Sequence, residues 1–163
     1  MINQLVDIMN EQAERYNELL GLTLEEKDVL VQNDAESLQK ITNLKNIVIT
    51  QNNRLERKRL SLTKDIAEVM GYGNTDLDLT QLIELMIDQP EAEELEAVGV
   101  KLRDIIGKLK EAGEVNRLLL ESALEYADYT LNMIRSSIEP ELAEFPAKYG
   151  GIDSAPGSFD ATR

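Results

Sequence analysis

Apolar residues recur at steps of three and four along almost the whole chain, in long stretches nearly free of glycine. That is the helical period, in which about 3.6 residues complete a turn. The first such segment is Ile2 to Gln32. Its stripe is Ile2, Leu5, Met9, Tyr16, Leu19, Thr23 and Leu30, with polar Gln12 and Glu26 at the remaining seam positions. Gly21 weakens the middle by about 1 kcal/mol relative to alanine. Thr23-Leu-Glu-Glu26 also has the form of a capping box that restarts a helix, so one continuous helix and two joined ones both fit the pattern. Asn33-Asp34 breaks the periodicity, and Asp34 is placed to cap the next helix while Glu36 favours its positive end. That helix is expected to run to about Met70. Ile41, Val48, Leu55, Leu62 and Val69 form a heptad column. The alternate column of Leu38, Lys45, Asn52, Arg59 and Ile66 is polar in its middle, which costs stability but fixes register.

Gly71-Tyr72-Gly73-Asn74 supplies the stop, because glycine takes the left-handed conformation of a helix C-cap at little cost. Leu79 to Asp88 reads as a short capping helix. Gln89-Pro90 then opens the last helix, with Glu91, Glu93, Glu94 and Glu96 at the positive end of its dipole. Its stripe is unbroken: Leu95, Val98, Leu102, Ile105, Leu109, Ala112, Asn116, Leu119, Ala123, Tyr126, Thr130 and Met133. Ile106, Leu120, Leu131 and Ile134 widen it. Pro140 is expected to end this helix near Ile138. The spacing predicts an all-α fold, an antiparallel bundle of three long helices with coiled-coil-like packing and one short connecting helix. Residues 1–138 would form the bundle domain. Residues 139–163, which hold Pro140, Pro146, Pro156, Gly150, Gly151 and Gly157, would form an extended, mobile tail.

The three long helices span roughly 46, 54 and 72 Å at 1.5 Å per residue. Short connections favour antiparallel neighbours, so the last helix would outrun its partners by about 18 Å. The residues left over, roughly Ala127 to Ile138, include Tyr129, Leu131, Met133, Ile134 and Ile138. An exposed apolar patch of this kind marks a binding site, and methionine adapts to differently shaped partners. The other reading is that the tail folds back over the patch through Leu142 and Phe145.

Composition narrows the chemistry. The net charge is -14, from 31 acids and 17 bases. It opposes binding to nucleic acid or anionic lipid. The run Arg54-Leu-Glu-Arg57-Lys58-Arg59 reads as a solvated helix face. Cysteine and histidine are absent. That leaves no disulfide, no Cys-His or Ser-His-Asp constellation and no zinc site of the usual types. No phosphate-binding loop or calcium loop occurs. No catalytic residue, metal or cofactor is therefore expected. The start of the chain lacks the pattern of a secretory signal, and no apolar run approaches a membrane span, so the expected location is the cytoplasm. Tyr149-Gly150-Gly151 is an aromatic in a Pro/Gly-rich tail. It is either a chance occurrence or a docking peptide that orders on contact.

The order of these motifs resembles the flagellar export chaperone family called FlgN. Leu24-Glu25-Glu26-Lys27-Asp28-Val29-Leu30, then Asn33-Asp34, then Leu38-Gln39-Lys40-Ile41 and Lys45 are similar to the family's first half. Asn116-Arg-Leu-Leu119-Leu120-Glu121-Ser122 and Leu131 are similar to its second half, and Tyr149-Gly150 falls where members commonly carry Tyr-Gly. The resemblance covers about residues 5 to 150. It implies a cytoplasmic chaperone that holds the C-terminal helical segment of hook–filament junction proteins and escorts it to the export gate. The client site would be Leu119, Ala123, Tyr126, Tyr129, Leu131, Met133, Ile134 and Ile138, and Tyr149 with Gly150 would dock at the gate. The acidic, proline-bounded Leu77–Glu96 insert and the Gly151-Ile152 that follows Tyr-Gly depart from the family pattern. A weak homodimer is compatible with this reading. The alternative is a scaffold or signalling adaptor that self-associates through the same apolar surface and has no secretion client.

Overall fold

The stripe that begins at Ile2 folds as one helix, α1 (Ile2–Gln32), in the computed structural model. The structure describes residues 1–72, 77–86 and 89–143, with side chains as far as Ile138. Gly21 lies inside α1 without interrupting it. Thr23 does not restart the helix. Its hydroxyl donates to the Leu19 carbonyl at 2.8 Å, a bond within one continuous ladder. Asn33 ends α1 in the left-handed conformation at φ 55°, and its amide donates to the Leu30 carbonyl. Asparagine tolerates that region better than most residues.

Asp34 then caps α2 (Ala35–Val69) by accepting from the Ser37 amide at 3.1 Å. Hydrogen bonds from Ser37 hold the Asp34 carboxyl below its ordinary value. Gly71, at φ 83°, supplies the turn that follows α2. α3 (Leu79–Leu85) is held by a full capping box, with Asp78 and Gln81 exchanging backbone and side-chain bonds at 2.8 and 2.9 Å. The far end of the predicted short helix, Asp88, lies outside the described residues. α4 (Pro90–Ala143) carries Glu91 and Glu93 in its first turn. It does not stop near Ile138 as expected, but continues through Pro140 to Ala143. Proline removes one ladder donor and disfavours helix in the residue before it, yet its fixed φ is itself helical, so a helix can pass through it at a cost. The described residues form four helices and no strand.

The chain divides into two compact units, Met1–Ser122 and Ala123–Arg163. In the first unit, Gln12 donates to Glu56 and Lys45 pairs with Glu26, so α1 and α2 run in opposite directions. One hydrophobic cluster gathers Leu5, Met9 and Ala13 of α1, Ile66 of α2, Leu82 of α3 with Met86, and Leu95, Val98, Leu102 and Ile105 of α4. Leu19, Ile41, Val48 and Leu55 continue the buried seam. The heptad column of α2 fails at its last member, because Val69 is 76% exposed. It sits at the helix end, and Ile66 and Ala67 take the inward positions there.

The polar middle of α2 is accounted for by its partners. Glu56 accepts a bidentate pair of bonds from Arg59 at 2.8 and 2.7 Å and a third from Gln12 at 3.0 Å. The Arg59 guanidinium, and then Gln12, hold the Glu56 carboxyl below the ordinary value of 4.5. A carboxyl depressed by folding stabilises the native state above its unfolded pKa and loses that contribution as pH falls through the folded value. Wild type should therefore be more stable than Glu56→Gln at neutral pH. The gap should close as the pH falls from the ordinary carboxyl value of 4.5 through the lower folded value, in urea titrations followed by circular dichroism. A gap that is the same at every pH would show that the charge on Glu56 does not matter.

Candidate functional site

Along α4 the stripe of three-and-four steps changes its surroundings residue by residue. Leu95, Val98, Leu102 and Ile105 are buried, Leu109 and Ala112 are half-buried, and Asn116 is buried again. Asn116 is held from two sides. Its amide nitrogen donates to the Thr23 carbonyl at 2.7 Å and to Glu26 at 2.8 Å, and Glu26 also receives Lys45 at 2.6 Å. Both partners of that nitrogen are acceptors, which fixes the orientation of the amide. Its oxygen has no partner among the described residues. Leu119, the first predicted site residue, lies in the first unit and is half-buried.

The other seven predicted residues belong to the second unit, whose described part is the α4 segment 123–143. Ala123 is half-buried. Tyr126 is 72% exposed, Leu131 59% and Ile134 51%, and Tyr129, Met133 and Ile138 are exposed as well. Leu124, outside the expected site, is also exposed. Its signal was present: Leu124, Ala127, Leu131, Ile134 and Ile138 follow steps of three and four, one position after Ala123, Tyr126, Thr130 and Met133. The helix thus carries two adjacent apolar stripes, a face broader than a two-stranded seam needs.

The segment satisfies its own polar groups locally. Thr130 donates to the Tyr126 carbonyl, and Ser136 and Ser137 both donate to that of Met133. In the first unit, exposed Arg117 pairs with Glu114 and with Glu121 on its own helix. Its hydrogen bond holds Glu114 below the ordinary carboxylate value and raises Arg117. No cluster of residues able to hold a metal occurs among the described residues. None of the described helices is long and apolar enough to cross a membrane. Tyr149 and Gly150 lie outside the described residues.

The described residues are helical, and the last helix presents two exposed apolar stripes, the kind of surface by which helices bind other proteins. The family model of the FlgN protein matches residues 1–144. The chain belongs to the FlgN family, the flagellar export chaperones. Comparison with curated proteins and with solved structures returned no match.

Proposed function

We propose that this chain is a cytoplasmic chaperone of hook–filament junction proteins. It holds their C-terminal helical segment and delivers it to the flagellar type III export gate. The observation that carries the reading is the exposure of Tyr126, Tyr129, Leu131, Met133, Ile134 and Ile138 on one helical segment of a flagellar export chaperone. An amphipathic client helix laid along that segment hides both apolar surfaces from water. Leu119 and Ala123, half-buried already, would extend the contact. In this reading the first unit is the scaffold, an antiparallel bundle of three long helices with coiled-coil-like packing. The opposed run of α1 and α2 and the core they share with α4 support that arrangement. The helical part, which runs on to Ala143, and the chain beyond it divide the work between client and gate.

The test is direct. The purified chain should capture a junction protein from flagellated cells, with or without residues 139–163, and a concentration-independent dimer should not form in equilibrium ultracentrifugation. A stable dimer that buries Leu131 and Ile134 and excludes the client would instead establish the self-associating scaffold. For the tail, Tyr149→Ala is expected to weaken binding to the export-gate component by about tenfold, the loss of one aromatic contact, while client affinity is unchanged. Loss of both activities together would refute the division of labour.

A further inference from the structure

The charge of this chain is segregated. Leu38 to Lys64 of α2 holds seven basic residues and a single acid, while the rest holds ten bases and thirty acids. A segment of charge +6 thus sits in a remainder of -20. The single acid, Glu56, is turned to Arg59 and Gln12. Lys40 pairs with Glu36 and Lys45 with Glu26. Arg54, Arg57, Lys58 and Lys64 remain, all exposed and none with an ion-pair partner among the described residues. At about 100° per residue they fall within an arc of roughly 120° on the solvent side of α2 and cover about 15 Å of its length.

A solvated helix face does not account for this pattern. Lys27, Lys101, Arg103, Lys110 and Arg135 also lack an ion pair among the described residues, so what sets this stretch apart is its density of positive charge in a chain whose acids outnumber its bases by 31 to 17. Arg54 and Lys58 are one turn apart, a like-charge spacing that costs a few tenths of a kcal/mol. Apart from Glu56, the nearest acids of the helix are Asp65 and Glu68, which follow Lys64; Asp7 and Asp65 border a groove beside Lys58, and Glu11 borders the groove between Arg15, Arg54 and Lys58. Exposed Ile47 and Leu60 give the same helix apolar contact surface.

We infer that the outer face of α2 around Arg54, Arg57, Lys58 and Lys64 is a second docking surface, and that it takes an acidic helical segment of another protein. The occupant is chosen by size and charge. A helix with carboxylates on one side meets only the basic stretch. A membrane or nucleic acid is an anionic surface far larger than the Debye length of about 8 Å, and would also meet the acids that border the basic face, Asp7, Glu11 and Asp65.

The probe is a synthetic alanine-based helix with about four glutamates at i, i+3, i+4 and i+7, compared with a peptide of equal composition whose glutamates circle the helix. Calorimetric titration into the full chain should show binding of the one-faced peptide, weaker binding of the other, and a decline with added salt. Arg54→Glu, Arg57→Glu, Lys58→Glu and Lys64→Glu together should weaken that binding roughly tenfold or more, with the circular dichroism spectrum unchanged. Should the quadruple reversal not fold, the four glutamine replacements must show the same direction. Equal binding of both peptides, or equal binding by wild type and variant, would overturn the inference. So would preferential binding to phosphatidylglycerol vesicles or duplex DNA, or a change in self-association on charge reversal.

Discussion

Replacing Met133 and Ile134 together with aspartate is expected to lower affinity for a junction-protein segment by about a hundredfold or more while leaving thermal unfolding unchanged. The magnitude follows from area. Fully burying an aliphatic side chain of this size contributes about 1.5–3 kcal/mol, and each 1.4 kcal/mol is tenfold in a dissociation constant. Two such side chains, both about half exposed in the free chain, contribute about 1.5–3 kcal/mol together, roughly ten- to hundredfold. Buried aspartate adds a desolvation cost in the complex alone. The two residues sit on neighbouring stripes of α4, Met133 with Ala123, Tyr126 and Thr130, and Ile134 with Leu124, Leu131 and Ile138. The double change therefore tests the whole width of the face. Titration calorimetry with the client segment gives the affinity, and a thermal melt gives the fold. Unchanged client affinity in a folded variant would place the client elsewhere on the chain.

Most of the scaffold was legible because its information is periodic. Leu5, Met9, Gln12, Leu19 and Thr23 of α1 were marked by steps of three and four that only a helix brings to one side, whereas buried Val6 and Ala13 flank that stripe. Asp34 and Pro90 marked helix starts through local chemistry that needs no tertiary context. Errors came where tertiary context or an exception decides. Val69 kept the heptad step but lies at the helix end, where Ile66 and Ala67 take the inward positions. Pro140 was read as a stop, although a proline inside a helix is costly rather than forbidden. The capping box of Asp78 and Gln81 has the sequence form of one, Asp followed three residues later by Gln, but it opens a helix of only seven residues, too short for periodicity to draw notice to it. At the site, Leu124 shares a stripe with Leu131, Ile134 and Ile138 but lies a turn before the overhang that helix lengths mark out, and its exposure is a tertiary fact. The basic stretch of α2 was visible in the sequence, but its lack of partners was not. That depends on where the acids of neighbouring helices lie in space.

The second large effect separates the core of the first unit from the apolar face of the second. Leu95→Ala is expected to destabilise the chain by about 2–5 kcal/mol, whereas Leu131→Ala should change stability by no more than about 0.5 kcal/mol. Both changes remove the same atoms from the same helix. Leu95 is fully buried in the cluster with Leu5, Met9, Leu82 and Met86, so its truncation leaves a cavity within a core shared with α1 and α3. Leu131 is 59% exposed, so its truncation removes surface that water already covers. For a chain of this length each kcal/mol moves the melting temperature by roughly 2–4 °C, so the first variant should melt lower by about 5–15 °C and the second by less than the scatter between preparations. Urea unfolding followed by far-ultraviolet circular dichroism measures both. The functional effects should run the other way, with Leu131→Ala weakening client binding by about tenfold and Leu95→Ala sparing it while the protein remains folded. Equal destabilisation by the two variants would mean that Leu131 is covered in solution by the chain itself or by a second copy, and a covered face is not available to a client.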